Sequence, residues 1–307
     1  MEIMRKIKYL FIAIRPYQWI KNMAIFAAII FTGQLFNPLL LEKTIIGFFS
    51  LCLLSSASYL FNDIIDAPYD RLHPVKKKRP IAAKKLSVNT AFQAAIFLLF
   101  FGLSIAYFLS FNFFLLSLVF ASLHFSYTLF LKKHALWDIL SIATSFVLRA
   151  YAGEALTGYH IPVWLMFSVI FLSLFIASGK RRSELVKEGK KTRKVLQHYH
   201  EKLLDFYLAL FANTTLLSYS LFTFTTPPPS FRPRIFNFLL TIYPKGIDRK
   251  WMMISVPFVI LGVMRYAQLI FLSQEGEQPT KTLASDSLLL FSILGWGATI
   301  VSVLYVL

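Results

Sequence analysis

Long apolar runs interrupted by short polar clusters dominate this chain. Nine apolar segments fall at about 22–36, 43–64, 88–110, 112–131, 136–156, 161–182, 203–225, 252–273 and 285–306. Most reach the length of about 20 residues that an α-helix needs to cross a bilayer core of about 30 Å. The first is short and starts at the interface. Turn signals separate the runs: Asn37-Pro38, Pro80, Asn112, Gly158, Pro227-Pro228-Pro229, and Gly276 with Pro279. Backbone polar groups in lipid must be satisfied within each segment. The pattern therefore predicts an all-α polytopic membrane protein of about nine transmembrane helices. Ahead of the first run, residues 1–21 mix Arg5, Lys6, Lys8, Arg15 and Lys21 with Tyr17 and Trp19, as an interfacial amphipathic segment does. Pro16 marks a helix start. Residues 22–307 read as the bundle itself, and 1–307 as a single integral-membrane domain. No internal repeat stands out. No small-residue cleavage site follows a short apolar core near the start, so the first span is expected to be retained.

Composition sharpens this class. Of 307 residues, 57% are hydrophobic and 15% charged, which a soluble domain of this size cannot hide. The one cysteine, Cys52, sits in an apolar run, which excludes an internal disulfide and a cysteine-rich metal site. The net charge of +17 is concentrated in a few loops between spans. Membrane lipids and phosphates, not nucleic acid, are the partners such clusters meet. With the N-terminus inside, 24 Lys and Arg fall in inside segments and six in outside ones, while Arg149 and Arg265 lie within spans. This bias places the N-terminus in the cytoplasm and the C-terminus outside a cell membrane. Loop 226–250, with five cations outside, is the exception.

The chemistry concentrates at the end of the second run. Asn62, Asp63, Asp66 and Asp70 are spaced by three, four and seven residues, which puts them on one helical face. Carboxylates that close repel one another unless a cation lies between them. Hard oxygen ligands suit Mg²⁺, which usually completes its shell with water and substrate phosphates. Arg71, Lys76, Lys77, Lys78, Arg79, Lys84 and Lys85 follow directly. A basic loop beside a membrane helix is often only an anchor. Next to an acidic face, however, it makes the local chemistry of a polyphosphate site. In this topology spans two, four and six finish on the cytoplasmic side. Their ends carry Asn62 to Asp70, Tyr127 with Lys132, and Lys180-Arg181-Arg182-Ser183-Glu184.

Other residues read two ways. Lys132 and Lys133 serve as anchors or as ligands, and Asp138 is placed to cap the next helix. Arg149, deep in span five, must face the interior, paired with Glu154 or a carbonyl, or binding substrate. Lys180 and Glu184 are placed to form an i,i+4 pair. Arg265 is equally ambiguous. His198 and His200 fit a solvated face. There is no glycine-rich phosphate loop, catalytic triad or zinc signature.

The acidic face Asn62-Asp63-x-x-Asp66-x-x-x-Asp70 resembles the first Asp-rich motif of the UbiA superfamily of intramembrane prenyltransferases. Further stretches resemble its decaprenyl-phosphate phosphoribosyltransferase branch: Arg15-Pro16-x-Gln18-Trp19-x-Lys21-Asn22, Asp70-Arg71-x-His73-Pro74-x-Lys76-x-x-Arg79-Pro80-Ile81-Ala82, Leu148-Arg149-Ala150-x-Ala152-Gly153 and Gly179-Lys180-Arg181-x-x-Glu184-Leu185. So do Val256-Pro257-Phe258, Arg265-Tyr266 and Asp286. The resemblance implies transfer of 5-phosphoribose from phosphoribosyl pyrophosphate to a polyprenyl phosphate. It implies Mg²⁺ held by Asn62, Asp63, Asp66 and Asp70, with the three aspartates catalytic. It assigns substrate binding to Lys21, Asn22, Arg71, Lys76, Arg79, Tyr127, Lys132, Arg149, Lys180, Arg181 and Glu184. It also implies a homo-oligomer, a trimer in some members. Aromatic prenyltransferases of the superfamily carry a second acidic motif where this chain has Lys180, Arg181 and Arg182. Extra cations there suit two substrates that bring three phosphate-bearing ends. The rival readings are an aromatic prenyltransferase and a lipid transporter without chemistry. The latter should place its charges at mid-membrane or at broken helices.

Overall fold

A computed structural model describes residues 2–73, 75–189, 194–229, 233–273, 282 and 285–307. Pro74, the turn signals Gly276 and Pro279, and the loop cations Arg232 and Lys281 lie outside the described residues. Helices are the regular elements of the described residues, and the chain forms two compact units, Met1–His160 and Ile161–Leu307. Each unit holds four of the eight helices long and apolar enough to cross a membrane.

In the first unit, α1 (Glu2–Ala13) exposes Met4, Ile7, Phe11 and Ile12 on one side. Tyr9, Leu10 and Ala13 pack on its other side against Leu60, Ala67 and Ile81. These two faces are those of the expected interfacial helix. The short first run is not one α-helix. A 3₁₀ helix covers Pro16–Phe26, and α2 (Ala27–Phe31) follows. At about 2.0 Å per residue in the 3₁₀ part and 1.5 Å in the α part, the two together reach roughly 30 Å. Six of those residues, 16–21, come from the interfacial segment, so the two short helices join that segment to the run and stand beside the eight long helices as a further element. It lies against α6 (Trp137–Thr157). Gly153 permits the contact, since an added Cβ would collide with the Ile25 carbonyl oxygen and sit 3.1 Å from the Ala28 Cβ.

α3 (Pro38–Asp70) starts on an Asn37 cap, whose side chain accepts from the Leu40 N–H at 3.4 Å, with Pro38 in its first turn. Its 33 residues rise about 50 Å, well beyond the apolar core of a bilayer. The apolar pattern ends near residue 64, but the helix continues to Asp70. Polar side chains outside lipid do not stop a helix. Pro68 removes one backbone bond in the last turns, where the helix is ending anyway. α4 (Val88–Leu109) and α5 (Phe111–Leu129) complete the unit. Buried Ile25, Leu51, Leu54, Phe113, Phe120 and Leu156 form its core.

The second unit comprises α7 (Val163–Glu188), α8 (Glu201–Thr225), α9 (Pro233–Ile242), α10 (Val256–Gln268) and α11 (Ser287–Val301). α10 is led in by a 3₁₀ turn at Trp251–Ser255, and π-helical turns extend α10 and α11. Phe175, Leu208, Val263, Tyr266 and Ile270 build the core. A buried network joins Tyr219 to Ser255 and Trp296, both at 2.7 Å. The loop expected at 226–250 contains α9, which leaves Phe238, Leu240 and Ile242 exposed, as a helix lying in the interface does.

Candidate active site

The last turns of α3 carry the acidic face, and cations from three other segments close on it. Arg15 Nη2 donates to Asp63 Oδ1 at 2.5 Å. Arg79 Nη1 donates to the same oxygen at 3.2 Å and to Asp70 Oδ2 at 2.7 Å. Lys132 Nζ donates to Asp66 Oδ1 at 2.5 Å and to Asn62 Oδ1 at 3.2 Å. Asn62 Nδ2 completes that group by donating to Asp66 Oδ2 at 3.0 Å. The acidic face is therefore two stations, Asp63 with Asp70 around one guanidinium and Asn62 with Asp66 around one ammonium.

Local sequence explains how the cations arrive. Pro80, Ile81 and Ala82 are buried, Ile81 in one cluster with Ala13, Leu60 and Ala67, and this turns the loop after α3 back so that Arg79 reaches α3. A short 3₁₀ turn, Leu131–Lys133, ends α5 and swings Lys132 onto the same helix. Arg15 adopts the left-handed conformation, φ 54° and ψ 61°, directly before Pro16. A non-glycine residue there costs about 1–2 kcal/mol. Asp63 and the Tyr59 ring, 5.2 Å from the guanidinium carbon, hold the Arg15 side chain. Burial works against the Arg15 charge, but the Asp63 carboxylate outweighs it and holds the guanidinium pKa above its ordinary value.

Accessibility ranks the carboxylates. The Asp63 side chain is 2% exposed and that of Asp66 26%. Asp63 organises the cluster from within, whereas Asp66 stays partly open at its edge. Among the described residues, no three His, Cys, Asp or Glu side chains are placed to hold one metal ion. The three aspartates expected to share a metal do not form a closed cage, because cations have filled the gaps between their charges. The donor set still fits a hard divalent ion that takes one or two carboxylates and completes its shell with phosphate oxygens. Asn62 Oδ1 and Asp66 Oδ1 already converge on one cation, the Lys132 ammonium.

The remaining candidates fall into distinct places. Arg71 is exposed and Lys76 half-buried, and among the described residues neither makes an ion pair. Tyr127 donates to buried Asp138 at 3.1 Å. Leu136, not Asp138, occupies the cap of α6, and Asp138 lies in the first turn, where its charge suits the helix dipole. Arg149 realises the carbonyl alternative and not the Glu154 one. Its Nε donates to Asn22 at 2.7 Å, its Nη1 to the Ser145 carbonyl and hydroxyl, and Glu154 lies 3.4 Å from His160.

In the second unit, Arg181 is wholly buried and bonded to Glu184, three residues on. Arg182 donates to Asp205 at 2.6 Å and Glu201 at 3.1 Å, with the Phe271 ring 4.1 Å away. Arg182 ties the end of α7 to α8, while the Arg181–Glu184 bond lies within α7, and Lys180 is half-buried. Arg265 pairs with Asp286, the cap of α11, at 2.7 Å. Arg15, which the sequence reading placed in the interfacial segment and in the Arg15-Pro16 motif but not among the site residues, joins the cluster. Its signal was the Arg-Pro dipeptide, a charge fixed immediately before a rigid turn.

Known proteins are similar to this chain along most of its length. The UbiA prenyltransferase family model matches residues 23–293. A decaprenyl-phosphate phosphoribosyltransferase of Mycolicibacterium smegmatis is 33% identical over 95% of this chain and 91% of its own length. The enzyme of that name from Corynebacterium glutamicum is 32% identical over 96% and 86%. A UbiA homologue from Archaeoglobus fulgidus, solved with GPP and Mg²⁺, superposes with a TM-score of 0.68 at 18% identity, covering 95% of this chain and 99% of that one, a likeness of fold. From the apolar spans to the acidic end of α3, then, this multi-pass membrane protein belongs to the UbiA prenyltransferase family.

Proposed function

We propose that this protein transfers 5-phosphoribose from phosphoribosyl pyrophosphate to a polyprenyl phosphate, with release of pyrophosphate. The observation that carries the reading is the cluster at the end of α3, where oxygen ligands and the cations Arg79 and Lys132 are interleaved. The similarity to the decaprenyl-phosphate phosphoribosyltransferases, along nearly their full length, supports it.

Asn62 and Asp66 are the proposed metal-facing pair, with Asp70 supporting and Asp63 organising them. A bound Mg²⁺ would neutralise charge on the leaving pyrophosphate. Arg79 and Lys132 exchange their carboxylate partners for pyrophosphate oxygens, and Lys76 and Arg71, unpaired on the adjoining loop, add to the charge that receives them. The bond from ribose carbon 1 to the pyrophosphate oxygen breaks with its electron pair on the leaving group. An oxygen of the lipid phosphate forms the new bond from the opposite face. A phosphate monoester, with a second pKa of about 6, is already largely dianionic, so no general base is assigned. Tyr127 is the proposed neutral donor beside Lys132. Lys180 is the proposed phosphate-binding cation of the second unit, on a helix end held by Arg181 and Glu184. The Lys and Arg bias supports a site on the cytoplasmic side. Labelling of a Lys77→Cys variant from the outside of intact cells would contradict that placement, and the sole native cysteine, Cys52, is buried.

The test is purified protein in detergent with Mg²⁺ and either of two substrate pairs. Lipid-linked phosphoribose should form from phosphoribosyl pyrophosphate and a polyprenyl phosphate. Product only from a prenyl diphosphate and 4-hydroxybenzoate would replace this reading with aromatic prenyl transfer.

A further inference from the structure

The loop that brings Lys132 to α3 carries backbone strain that its own side chains do not repay. Leu136 has φ 68° and ψ −54°, and the Trp137 N–H donates to the Ala135 carbonyl at 2.9 Å. These are the angles and the bond of the three-residue γ-turn in its rare, strained form. A bulky residue at positive φ lacks the freedom that glycine has there. Burial offers no local compensation, because Leu136 is 52% exposed and Trp137 59%. Strain of this kind persists where the surrounding structure over-determines it, and it gathers at functional sites.

The restraint lies two residues further on. Asp138 is wholly buried in the first turn of α6, and its Oδ1 accepts from the Tyr127 hydroxyl, near the end of α5, at 3.1 Å. These two residues are eleven apart, so their bond ties together the two feet of the loop between α5 and α6. Backbone bonds fill the span between them. The Lys133 N–H donates to the Phe130 carbonyl at 3.0 Å, the His134 N–H to Leu131 at 3.1 Å and the Asp138 N–H to His134 at 3.1 Å. Lys132 stands between the feet, 12% exposed, with its Nζ 2.5 Å from Asp66 Oδ1. A lysine side chain has much rotamer freedom to lose, so its head is pre-placed only when the backbone beneath it is fixed.

We propose that buried Asp138, acting through Tyr127 and the strained turn at Leu136, is a positioning residue for Lys132. The inference rests on the reading in which Lys132 receives pyrophosphate oxygens, and it names what sets that ammonium in place beforehand. Without the Asp138 acceptor the γ-turn relaxes to ordinary angles, and the backbone under Lys132 moves with it. Asp138 and Leu136 act on the ligand only by way of Lys132.

The test is calorimetric titration of the full-length protein in detergent with pyrophosphate and Mg²⁺. Pyrophosphate is the leaving group of phosphoribosyl and prenyl donors alike, so this readout does not depend on which donor the protein uses. Lys132→Met should weaken binding about tenfold or more, the loss of one charge-assisted contact. Asp138→Ala should weaken it by a similar factor, and Asp138→Asn, which keeps an oxygen acceptor for Tyr127, by no more than about threefold. Asp138→Ala added to Lys132→Met should cost nothing further, because residues that act through one group are not additive. If Asp138→Ala does not fold, Leu136→Val tests the loop from its exposed side. A β-branched residue disfavours positive φ, so this variant should lose pyrophosphate affinity while Leu136→Gly keeps it. Wild-type affinity in folded Asp138→Ala or in Leu136→Val overturns the inference. So do losses that add in full with Lys132→Met, and so does wild-type affinity in Lys132→Met itself. Any of these in a protein that transfers phosphoribose leaves the transfer reading standing. The expected pattern in a protein that only prenylates 4-hydroxybenzoate sinks the transfer reading and leaves Asp138 in its role.

Discussion

Lys132 Nζ and Asp66 Oδ1 meet at 2.5 Å although 66 residues separate them in sequence. One sits on the turn that ends α5, the other four residues before the end of α3. The contact brings two helix ends to one point, and the Asp66 side chain remains 26% exposed. A partly exposed pair of this kind contributes about 1 kcal/mol or less to stability. Asp66→Asn and Lys132→Met should therefore melt within a few degrees of wild type in detergent. Their transfer rates should fall by at least about 100-fold, the scale on which removal of one charged transition-state group is felt. Full activity in Asp66→Asn would remove Asp66 from the metal-facing role.

Arg15 should respond to glycine and alanine differently. Both substitutions take a guanidinium from buried Asp63, but only glycine relieves the left-handed backbone at φ 54°. Arg15→Gly should be the more stable of the two by about 1 kcal/mol, as read from denaturation in matched detergent. Equal stabilities would mean that the backbone at this position is not strained.

Gly153→Ala tests the route by which the 3₁₀ segment reaches α6. The added methyl would press on the Ile25 carbonyl oxygen and on Ala28. Overpacking of this kind costs about 1–3 kcal/mol. The variant should melt lower and also lose activity, because Asn22 and Lys21 ride on the displaced segment. An unaffected melting temperature would contradict the close approach.

Asp286 gives a pH dependence with a definite sign. The hydrogen bonds from Arg265 and from the Leu289 N–H hold its carboxyl below the ordinary value of 3.8. A depressed carboxylate contributes stability above its unfolded pKa and loses it as pH falls through the folded one. The stability gap between wild type and Asp286→Asn should be constant above about pH 5 and close below about pH 4. The gap is small, about 1 kcal/mol or less for a pair at the surface. A gap that widens on acidification would reverse the assignment.

The spans were legible in the sequence because lipid imposes one rule on every helix. The 88–110, 112–131 and 136–156 runs correspond closely to Val88–Leu109, Phe111–Leu129 and Trp137–Thr157. The run at 43–64 understates α3 because hydropathy reports where lipid ends and not where the helix does. α9 was missed for the related reason that an interfacial helix is too short and too mixed to register as a span. The acidic face was legible from its helical spacing. Its partners were not, since Arg15, Arg79 and Lys132 arrive from loops 9 to 66 residues away and their pairing is a tertiary event. For the same reason the pairing of Arg182 with Asp205 and Glu201 of α8 could not be read from sequence.

The most direct measurement is a structure of the protein with phosphoribosyl pyrophosphate and Mg²⁺ bound. The expected density has the metal beside Asn62 and Asp66, with the Lys132 and Arg79 side chains turned from their carboxylates to the pyrophosphate. A bound donor that leaves the Lys132–Asp66 and Arg79–Asp70 contacts intact, and lies away from α3, would contradict the account.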